Sequence, residues 1–595
     1  MNVVTSAVVP VTRRLADLAQ SRPDQPAFTW LRFDGAGHTR YNYGELYRRA
    51  SAVASALASR GLRGSPVLLM HPAGPEFVPA FFGALMAGTI AVPVPAPRFA
   101  SQYQRLESAA RDCQPRAVIS TPALSESLGS RMPADSMLHG IPWLTSFDEE
   151  PVRDSIVAPN PDDIAFLQYT SGSTGNARGV AVSHLNLAHN VATISEAFNS
   201  AYCGRLLSWL PHFHDMGLIG SILAPMVRMT EIILMSPQAF LQRPLRWLEA
   251  IAEFNVELSG APNFAYELCV KAAERAASPP QFDLSSWRIA FVGAEPIRAS
   301  TLSLFVERFG PCGFRRSAFL PCYGLAEATL MVTCKPAGAE YSTHRISRAS
   351  LEKHIARAAA DEPAVELVGC GFAPPDTEVR IADPETRESL APRLVGEVWV
   401  SGPQVTRGYW KEPSTPDAGA SWTSINGRRF LRTGDLGFLT EQGELVFVER
   451  MKDLLVLNGQ NFACADLEQT VAVSHEALSE DGVAVTLIET HSAPHLVVVA
   501  EVPFAQTAAV DEMTQTIRGA LYTVHGLAAK TIGFIPPGKL SRTTSGKLQR
   551  RRTVQRMVSG DTRVIAWCGE PIPDFVSLEI VQNFHDQHLS KHSHA

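Results

Sequence analysis

The chain has 595 residues, a length that exceeds what one hydrophobic core usually supports, so two or more domains are expected. Hydrophobic residues make up 45% and charged residues 19% of the sequence, a composition that excludes a chain disordered throughout. The formal net charge is -6 and no long run of Lys or Arg occurs, which argues against a surface for nucleic acid or for an anionic membrane. These features favour a small-molecule substrate.

The nine cysteines are scattered singly, and none forms a C-x-x-C pair. This pattern argues against a zinc site or a disulfide framework, and it is typical of a protein kept in a reducing compartment. We therefore predict a cytoplasmic location.

Two segments could be mistaken for membrane signals. Near the N-terminus, the first positive charges, Arg13 and Arg14, follow the apolar stretch instead of preceding it, so a signal peptide is not expected. Residues 77–97 carry no charge, but Gly83 interrupts this stretch and Pro93 lies near its end. We interpret it as a buried helix followed by a buried strand and predict no integral membrane segment.

Short apolar runs alternate with helical periodicity along the first three quarters of the chain, as an α/β protein requires. The runs 65–70, 163–169 and 287–292 each lead into a loop that contains Gly or Pro. Since ligand-binding loops follow the strands of parallel sheets, these loops are candidate site segments.

The pattern changes near residue 450 to a second, smaller α/β unit. It contains a strand-like run at 495–502, helical periodicity at 510–525 and a polar loop around Lys547. We predict one domain over residues 1–451 and a second over 452–595. The last residues, which are rich in histidine, are interpreted as a disordered tail.

The first chemical motif directly follows the apolar run that ends at Tyr169. Its small residues would let backbone N–H groups and hydroxyls converge on phosphate oxygens, with one arginine adding positive charge. The predicted phosphate-binding residues are Thr170, Ser171, Gly172, Ser173, Thr174, Gly175 and Arg178. The spacing is not that of a Walker A loop, and a Ser/Gly-rich run alone could be a flexible loop.

Several further motifs follow in a fixed order. They are Trp209–Gly217 (WLPHFHDMG), Gly293–Pro296 (GAEP), Tyr323–Glu327 (YGLAE), Gly396–Glu397 (GE), Gly408–Trp410 (GYW), Arg432–Leu436 (RTGDL), Glu449–Asp453 (ERMKD) and Ser545–Lys547 (SGK). With the phosphate loop they resemble the adenylate-forming superfamily of acyl-CoA synthetases, peptide-synthetase adenylation domains and luciferases, over residues 10–555. The resemblance implies an α/β fold with a large N-terminal domain of packed sheets and helices and a small mobile C-terminal α/β domain. It also implies ATP and Mg²⁺.

The resemblance assigns catalytic roles to three residues. Glu327 matches the magnesium ligand, and Lys547 matches the lysine that bridges the acid and the α-phosphate. His214 matches a position near the acyl carboxylate, although a structural histidine with satisfied hydrogen bonds is the alternative. His212 is the better candidate for a structural histidine.

The nucleotide-binding residues are also implied by the resemblance. Asp435 corresponds to the carboxylate that accepts the ribose hydroxyls, Arg450 to a second ribose or phosphate contact, and Tyr323 to the aromatic face on the adenine. The remaining expected contacts are Gly293, Ala294, Glu295, Gly324, Leu325 and Ala326. Lys452 and Asp453 fall at the hinge between the domains.

Three segments narrow the resemblance to fatty acyl-AMP ligases: 261–269, 323–330 and 367–371. More than forty residues separate Glu327 from Gly371, which leaves room for the insertion typical of these ligases. We place the insertion at about residues 336–366 and predict a helix over 348–360 within it. The sequence departs from the general pattern at Ala326, where Thr is usual, and at Ala177-Arg178, where Pro-Lys is usual.

The resemblance implies that a medium- or long-chain fatty acid reacts with ATP to give acyl-AMP and pyrophosphate. The acyl group would then pass to the phosphopantetheine arm of an acyl carrier protein in polyketide or lipopeptide biosynthesis. No carrier-type serine motif follows residue 555, so we expect a separate carrier chain. The alternatives are a fatty acyl-CoA synthetase and a non-catalytic protein that binds acyl adenylates.

Overall fold

A computed structural model describes the chain from residue 9 to residue 572. Within this range it leaves out 36, 98–99, 130, 148–155, 170–177, 199–203, 277, 279, 413–420, 458–459, 489–494, 544–545, 547 and 571. The described residues form a mixed α/β fold with a large N-terminal domain and a smaller C-terminal domain, as predicted.

The helices are α1 (Val11–Ser21), α2 (Tyr43–Ala58), α3 (Phe77–Met86), α4 (Ala100–Cys113), α5 (Pro122–Gly129), α6 (His184–Ala197), α7 (Ala224–Val227), α8 (Pro237–Gln242), α9 (Leu245–Glu253), α10 (Asn263–Glu274), α11 (Ala299–Phe309), α12 (Arg348–Leu351), α13 (Cys464–Ala472), α14 (Val510–His525) and α15 (Arg550–Val558).

The strands of the large domain are β1 (Pro26–Trp30), β2 (Thr39–Asn42), β3 (Pro66–His71), β4 (Ile90–Pro95), β5 (Ala117–Ile119), β6 (Trp143–Leu144), β7 (Ile164–Tyr169), β8 (Gly179–Ser183), β9 (Arg205–Ser208), β10 (Glu231–Leu234), β11 (Leu258–Ala261), β12 (Ile289–Val292), β13 (Phe319–Gly324), β14 (Met331–Cys334), β15 (Thr343–Ser347), β16 (Ala364–Val368), β17 (Glu378–Ala382), β18 (Gly396–Ser401), β19 (Trp422–Ile425), β20 (Arg428–Leu439) and β21 (Leu445–Arg450). Further strands are β22 (Leu454–Leu457), β23 (Gln460–Ala463), β24 (Val483–Ile488), β25 (His495–Glu501), β26 (Thr531–Ile535) and β27 (Ala566–Gly569).

Two largely parallel sheets form the core of the large domain. One has the strand order β14-β13-β12-β11-β9-β10-β1-β2 and the other β6-β5-β3-β4-β7-β8, with antiparallel pairs at the edges. The three apolar runs predicted to be strands correspond to β3, β7 and β12, which confirms them. The loops after β7 and β12 carry two of the predicted site motifs.

The uncharged segment 77–97 forms the buried helix α3 and the strand β4, as predicted. Helix α3 packs so closely on α2 that a Cβ atom added at Gly83 would lie 2.5 Å from the Cβ of Val53. Glycine is therefore needed at this crossing of two helices. In the described part of the chain, no helix has the length and apolar character needed to span a membrane.

A third, antiparallel sheet has the order β17-β18-β20-β19, and β21 pairs with β20. Asp435 on β20 lies opposite Arg450 on β21 in the register of this pair. Pairing of these two strands thus brings together two residues that are 15 positions apart in the sequence.

The small domain contains the sheet β24-β25-β26-β27, which packs with α13, α14 and α15. Strand β25 and helix α14 confirm the predicted strand at 495–502 and the predicted helix at 510–525. The hairpin β22–β23 lies between β21 and this unit. A domain boundary at residues 451 and 452 stays a prediction.

The helix predicted over 348–360 is wrong. Only Arg348–Leu351 is helical, because His354 adopts a left-handed backbone (φ 59°) and the flanking segments pair as the hairpin β15–β16. The helical spacing of Leu351 and Ile355 would place both on one apolar face, but Ile355 is 43% exposed, whereas Ala356 is fully buried. Long-range strand pairing therefore outweighs the local helical preference of this segment.

Candidate active site

The ends of β13, β20 and β21 bring three predicted nucleotide-binding side chains together. The phenol of Tyr323 donates a hydrogen bond of 2.8 Å to Asp435 Oδ2, and Arg450 Nε lies 3.3 Å from Asp435 Oδ1. The negative charge of Asp435 raises the pKa of the Arg450 guanidinium. The Asp435 carboxylate is thus oriented from both sides, as an acceptor for two neighbouring hydroxyls requires.

The turn before Asp435 is held by Glu397, whose side chain is 3% exposed. One carboxylate oxygen accepts from the Gly434 N–H (3.1 Å), and the other accepts from Trp399 Nε1 and Arg432 Nε (both 2.9 Å). Gly434 has φ 69°, a conformation that glycine adopts without strain. The sequence motif included Glu397 but gave no sign that it supports the Asp435 turn.

Glu327, the predicted magnesium ligand, lies in a short 3₁₀ turn directly after β13. The entry into this turn requires glycine, since a Cβ atom added at Gly324 would lie 1.8 Å from the Leu330 carbonyl oxygen. The phenol of Tyr409 donates a hydrogen bond of 2.8 Å to Glu327 Oε1. Arg450 is close enough to interact electrostatically with Glu327 as well as with Asp435.

The chemistry of Glu327 fits Mg²⁺, which prefers carboxylate oxygens together with phosphate oxygens. Across the described residues, no cluster of three or more His, Cys, Asp and Glu side chains could hold a metal ion. A single carboxylate is compatible with Mg²⁺, which proteins usually hold through one or two carboxylates together with substrate phosphates and water.

The predicted phosphate loop lies between β7 and β8. Its residues Thr170, Ser171, Gly172, Ser173, Thr174 and Gly175 fall outside the described residues. Before the loop, the Tyr169 phenol donates a hydrogen bond to Asp112. After it, the guanidinium of Arg178 lies 5.2 Å from the Tyr409 ring centre and 3.9 Å from Glu412. Tyr409 thus contacts both the predicted phosphate-loop cation and the predicted metal ligand.

The GAEP motif follows β12 and has an unusual backbone. Ala294 adopts φ 68°, and a Cβ atom added at Gly293 would lie 2.8 Å from the carbonyl oxygen of Cys322 on the neighbouring strand. The Glu295 carboxyl accepts a hydrogen bond of 2.7 Å from the Phe264 N–H, and burial raises the pKa of Glu295 to about 7. The role of this motif, and of Leu325 and Ala326 beside Glu327, in binding nucleotide stays a prediction.

His214 and His212 lie in different environments. His214 is half-buried before a π-helix, Met216–Leu223, and its Nδ1 is 2.6 Å from Asp215 Oδ1. His212 packs against Phe77, with ring centres 4.1 Å apart, and burial lowers its pKa to about 3. The lowered pKa keeps the His212 imidazole neutral, and its structural role stays a prediction.

The predicted catalytic Lys547 lies outside the described residues, but the preceding Gly546 is described and lies against the large domain. The predicted hinge residues Lys452 and Asp453 form a 3₁₀ turn between β21 and β22. Arg550 Nη1 lies 3.6 Å from Asp453 Oδ2, and burial lowers the pKa of Lys452. A hinge function for this turn stays a prediction.

Two family models match the chain. The first, described as AMP-binding enzyme, matches residues 15–410. The second, described as Disco-interacting protein 2-like, AMP domain, matches residues 452–566. Residues 411–451, which include Asp435 and Arg450, lie between the two matches.

Characterised relatives and solved structures are similar over nearly the whole chain. The medium-chain-fatty-acid–[acyl-carrier-protein] ligase JamA of Moorena producens is 36% identical over 93% of this chain and 96% of its own length. The long-chain-fatty-acid–AMP ligase FadD26 of Mycobacterium marinum is 34% identical over 92% of this chain and 98% of its own. A fatty acyl-adenylate ligase of Legionella pneumophila, solved in complex with acyl adenylate and pyrophosphate, is 34% identical and superposes with a TM-score of 0.71 over 94% of this chain and 98% of its own. The chain belongs to the AMP-binding enzyme family and, within it, to the fatty acyl-AMP ligases.

Proposed function

We propose that this protein activates a medium- or long-chain fatty acid with ATP, forming acyl-AMP and pyrophosphate. The observation that carries this proposal is that Tyr323 and Arg450 together orient the Asp435 carboxylate. Arg450 also interacts electrostatically with Glu327, the predicted magnesium ligand. A ribose, a chain of phosphates and a metal ion could all be bound within this arrangement.

In the proposed reaction, a carboxylate oxygen of the fatty acid forms a bond to the α-phosphorus of ATP. The bond between that phosphorus and the bridging oxygen of pyrophosphate breaks, and pyrophosphate leaves with the electron pair. Asp435 accepts hydrogen bonds from the ribose and fixes the nucleotide. Arg450, Arg178 and Lys547 offset the negative charge that accumulates around the phosphates. Mg²⁺, when bound at Glu327, neutralises further phosphate charge.

We further propose that the acyl group passes to the phosphopantetheine arm of a separate acyl carrier protein in polyketide or lipopeptide biosynthesis. The similarity to a medium-chain-fatty-acid–[acyl-carrier-protein] ligase supports this partner. We also propose a cytoplasmic reaction, as the scattered single cysteines predict.

The insertion, proposed for residues 336–366, bears on whether the acyl group is transferred to a carrier protein or to CoA. Its hairpin buries Ile346 and Val365 against Leu436 and Phe438 of the large domain. A nearby arginine in the hairpin, Arg348, forms an ion pair with the small domain. A segment held by both domains can restrain the small domain, and this would disfavour the arrangement that makes a thioester with free CoA.

The test is exchange of labelled pyrophosphate into ATP with a panel of fatty acids of increasing chain length, followed by product analysis with CoA or carrier protein. We expect acid-dependent exchange, accumulation of acyl-AMP in the presence of excess CoA, and consumption of acyl-AMP when the carrier is added. Efficient formation of acyl-CoA would instead identify a fatty acyl-CoA synthetase. Absence of exchange with every acid would favour a protein that only binds acyl adenylates.

A further inference from the structure

An ionic cluster at the contact between the two domains lies beside the site described above and contains none of the predicted site residues. Arg298, which directly precedes α11 in the large domain, places Nη1 3.3 Å from Asp481 Oδ1 in the small domain. The same nitrogen lies 3.4 Å from Glu267 Oε2 on α10. The backbone N–H of Arg298 donates to the Asn263 side chain at 3.0 Å, which fixes the residue at the start of α10. The backbone of Arg298 is therefore fixed in the large domain, and its positively charged side chain contacts the small domain.

Asp481 also contacts Arg542, which belongs to its own domain. Arg542 Nη2 donates a hydrogen bond of 2.6 Å to the Asp481 carbonyl oxygen and lies 3.9 Å from its carboxylate. Through Nη1, Arg542 donates a hydrogen bond of 3.0 Å to the carbonyl oxygen of Gly546. A continuous set of polar contacts thus connects Arg298 with the backbone of Gly546.

Gly546 packs directly on the large domain. Its backbone is left-handed (φ 89°), and an added Cβ atom would lie 2.9 Å from the Phe264 ring. The N–H of Phe264 is in turn bonded to Glu295 in the GAEP motif. The polar contacts therefore hold Gly546 against Phe264, which is bonded to Glu295 of the proposed nucleotide site.

The charges in the cluster favour an ionised Asp481. Burial alone would raise the pKa of Asp481, but the positive charges of Arg298 and Arg542 outweigh burial and lower it. Burial and the neighbouring Asp481 raise the pKa of Glu267 to about 7, while Lys271 partly opposes this shift. Since Glu267 holds a proton more readily, Asp481 carries the negative charge that both arginines bind.

We propose that Arg298, Asp481 and Arg542 form an inter-domain latch, a set of positioning residues that holds the small domain in the orientation used for adenylation. This inference rests on the proposed function, in which the loop that follows Arg542 supplies Lys547. The latch contacts join the two domains only while the domains are docked in this orientation. Breaking it should therefore slow the adenylation step selectively and spare transfer of a preformed acyl group.

The experiment compares Arg298→Ala, Asp481→Ala and the double variant in two separate assays. The first measures the single-turnover rate of acyl-AMP formation, and the second measures transfer from supplied acyl-AMP to the phosphopantetheine arm of a carrier. We expect each single variant to lose about tenfold in the first assay and little in the second. The double variant should lose scarcely more than the single variants, because the two residues act as one pair. Arg298→Lys should recover part of the rate.

Arg243→Ala is the matched control, since Arg243 pairs with Glu249 on the surface of the large domain. Unchanged acyl-AMP formation in the variants, or equal losses in both assays, would overturn the latch. If Asp481→Ala melts before the assay temperature, Arg298→Ala leaves the small domain unaltered and decides the question. Failure of the unsubstituted protein to exchange pyrophosphate would contradict the proposed function instead, which keeps the two outcomes apart.

Discussion

Two groups of buried carboxyl side chains lie close to the proposed active site, and they are buried in different ways. Glu397 and Asp435 bind arginines, N–H groups and a phenol from the large domain itself. Glu267, Glu295 and Glu449 lie where the small domain docks, and burial raises the pKa of each to about 7. The contacts of the first group lie within the large domain. Those of the second group depend on the relative position of the two domains and on whether the carboxyl groups are protonated.

Glu449 illustrates the second group. Its Oε2 accepts a hydrogen bond of 3.1 Å from the N–H of Ala465 in the first turn of α13, and its Oε1 accepts one of 3.1 Å from the backbone N–H of Arg450. Arg550 of the small domain favours the ionised form, but burial outweighs it and the pKa rises to about 7. The cost of burying this carboxyl is therefore linked to docking, which is unlike the permanent contacts of Glu397.

The largest effect on acyl-AMP formation is expected for a substitution in the small domain. Lys547→Ala should reduce acyl-AMP formation by about 3 to 4 kcal/mol in transition-state stabilisation, because a positive charge in a closed site is lost. Pyrophosphate exchange measures this loss, and Lys539→Ala, at an exposed lysine nearby, is the control. Near-normal exchange by Lys547→Ala would show that this lysine of the small domain takes no part in adenylation.

A smaller effect is expected within the large domain. Asp435→Ala should weaken ATP binding by about 2 kcal/mol, because the ribose loses a charged acceptor that is already oriented by Tyr323 and Arg450. Calorimetric titration with ATP measures the change, and Asp361→Ala, at an exposed aspartate between β15 and β16, is the control. An unaltered ATP affinity would show that the ribose does not bind at this carboxylate.

The third and smallest effect concerns pH. If the carboxyls of Glu267, Glu295 and Glu449 regain an ordinary pKa when the domains separate, the docked form binds more protons than the separated form. Docking should then be strongest at low pH and should weaken as the pH rises through about 7. Fluorescence energy transfer between labels on the two domains, compared at about pH 6 and about pH 8, measures this shift.

A Glu267→Gln variant sharpens the pH experiment, since glutamine stays neutral at both values. It should show a weaker pH dependence of docking than the unsubstituted protein. A steeper dependence, or docking that improves as the pH rises, would mean that these carboxyls are not protonated on docking.

Patterns that are local in the sequence predicted local structure well. The helix at Val510–His525 and the strand at Ile164–Tyr169 follow from apolar spacing and flanking turns, and both occur as expected. The helix predicted over 348–360 was wrong because the flanking residues pair as strands, and the sequence gives no sign of that pairing. Periodicity describes one segment at a time and carries no information about its partner.

The site followed a similar division. The motifs predicted roles for Asp435 and Glu327, which stay predictions, but Tyr409 was recognised only as part of a motif and was given no role. The latch was missed altogether, because Arg298 and Asp481 are separated by 183 positions and each is an ordinary charged residue in its own segment. Only the docking of the two domains gives such residues a shared function.

The ion pair between Arg348, which directly follows β15, and Asp466 of α13 limits how these segments can evolve or be exchanged. Each side chain is less than one fifth exposed, and burial raises the pKa of Asp466 even beside the arginine. Loss of one partner would leave the other buried without a counter-charge, at a cost of about 3 to 5 kcal/mol. Residues 343–368 transplanted into a ligase without a matching carboxylate would therefore bring an unmatched cation against α13. We expect substitutions at positions 348 and 466 to accompany one another among relatives.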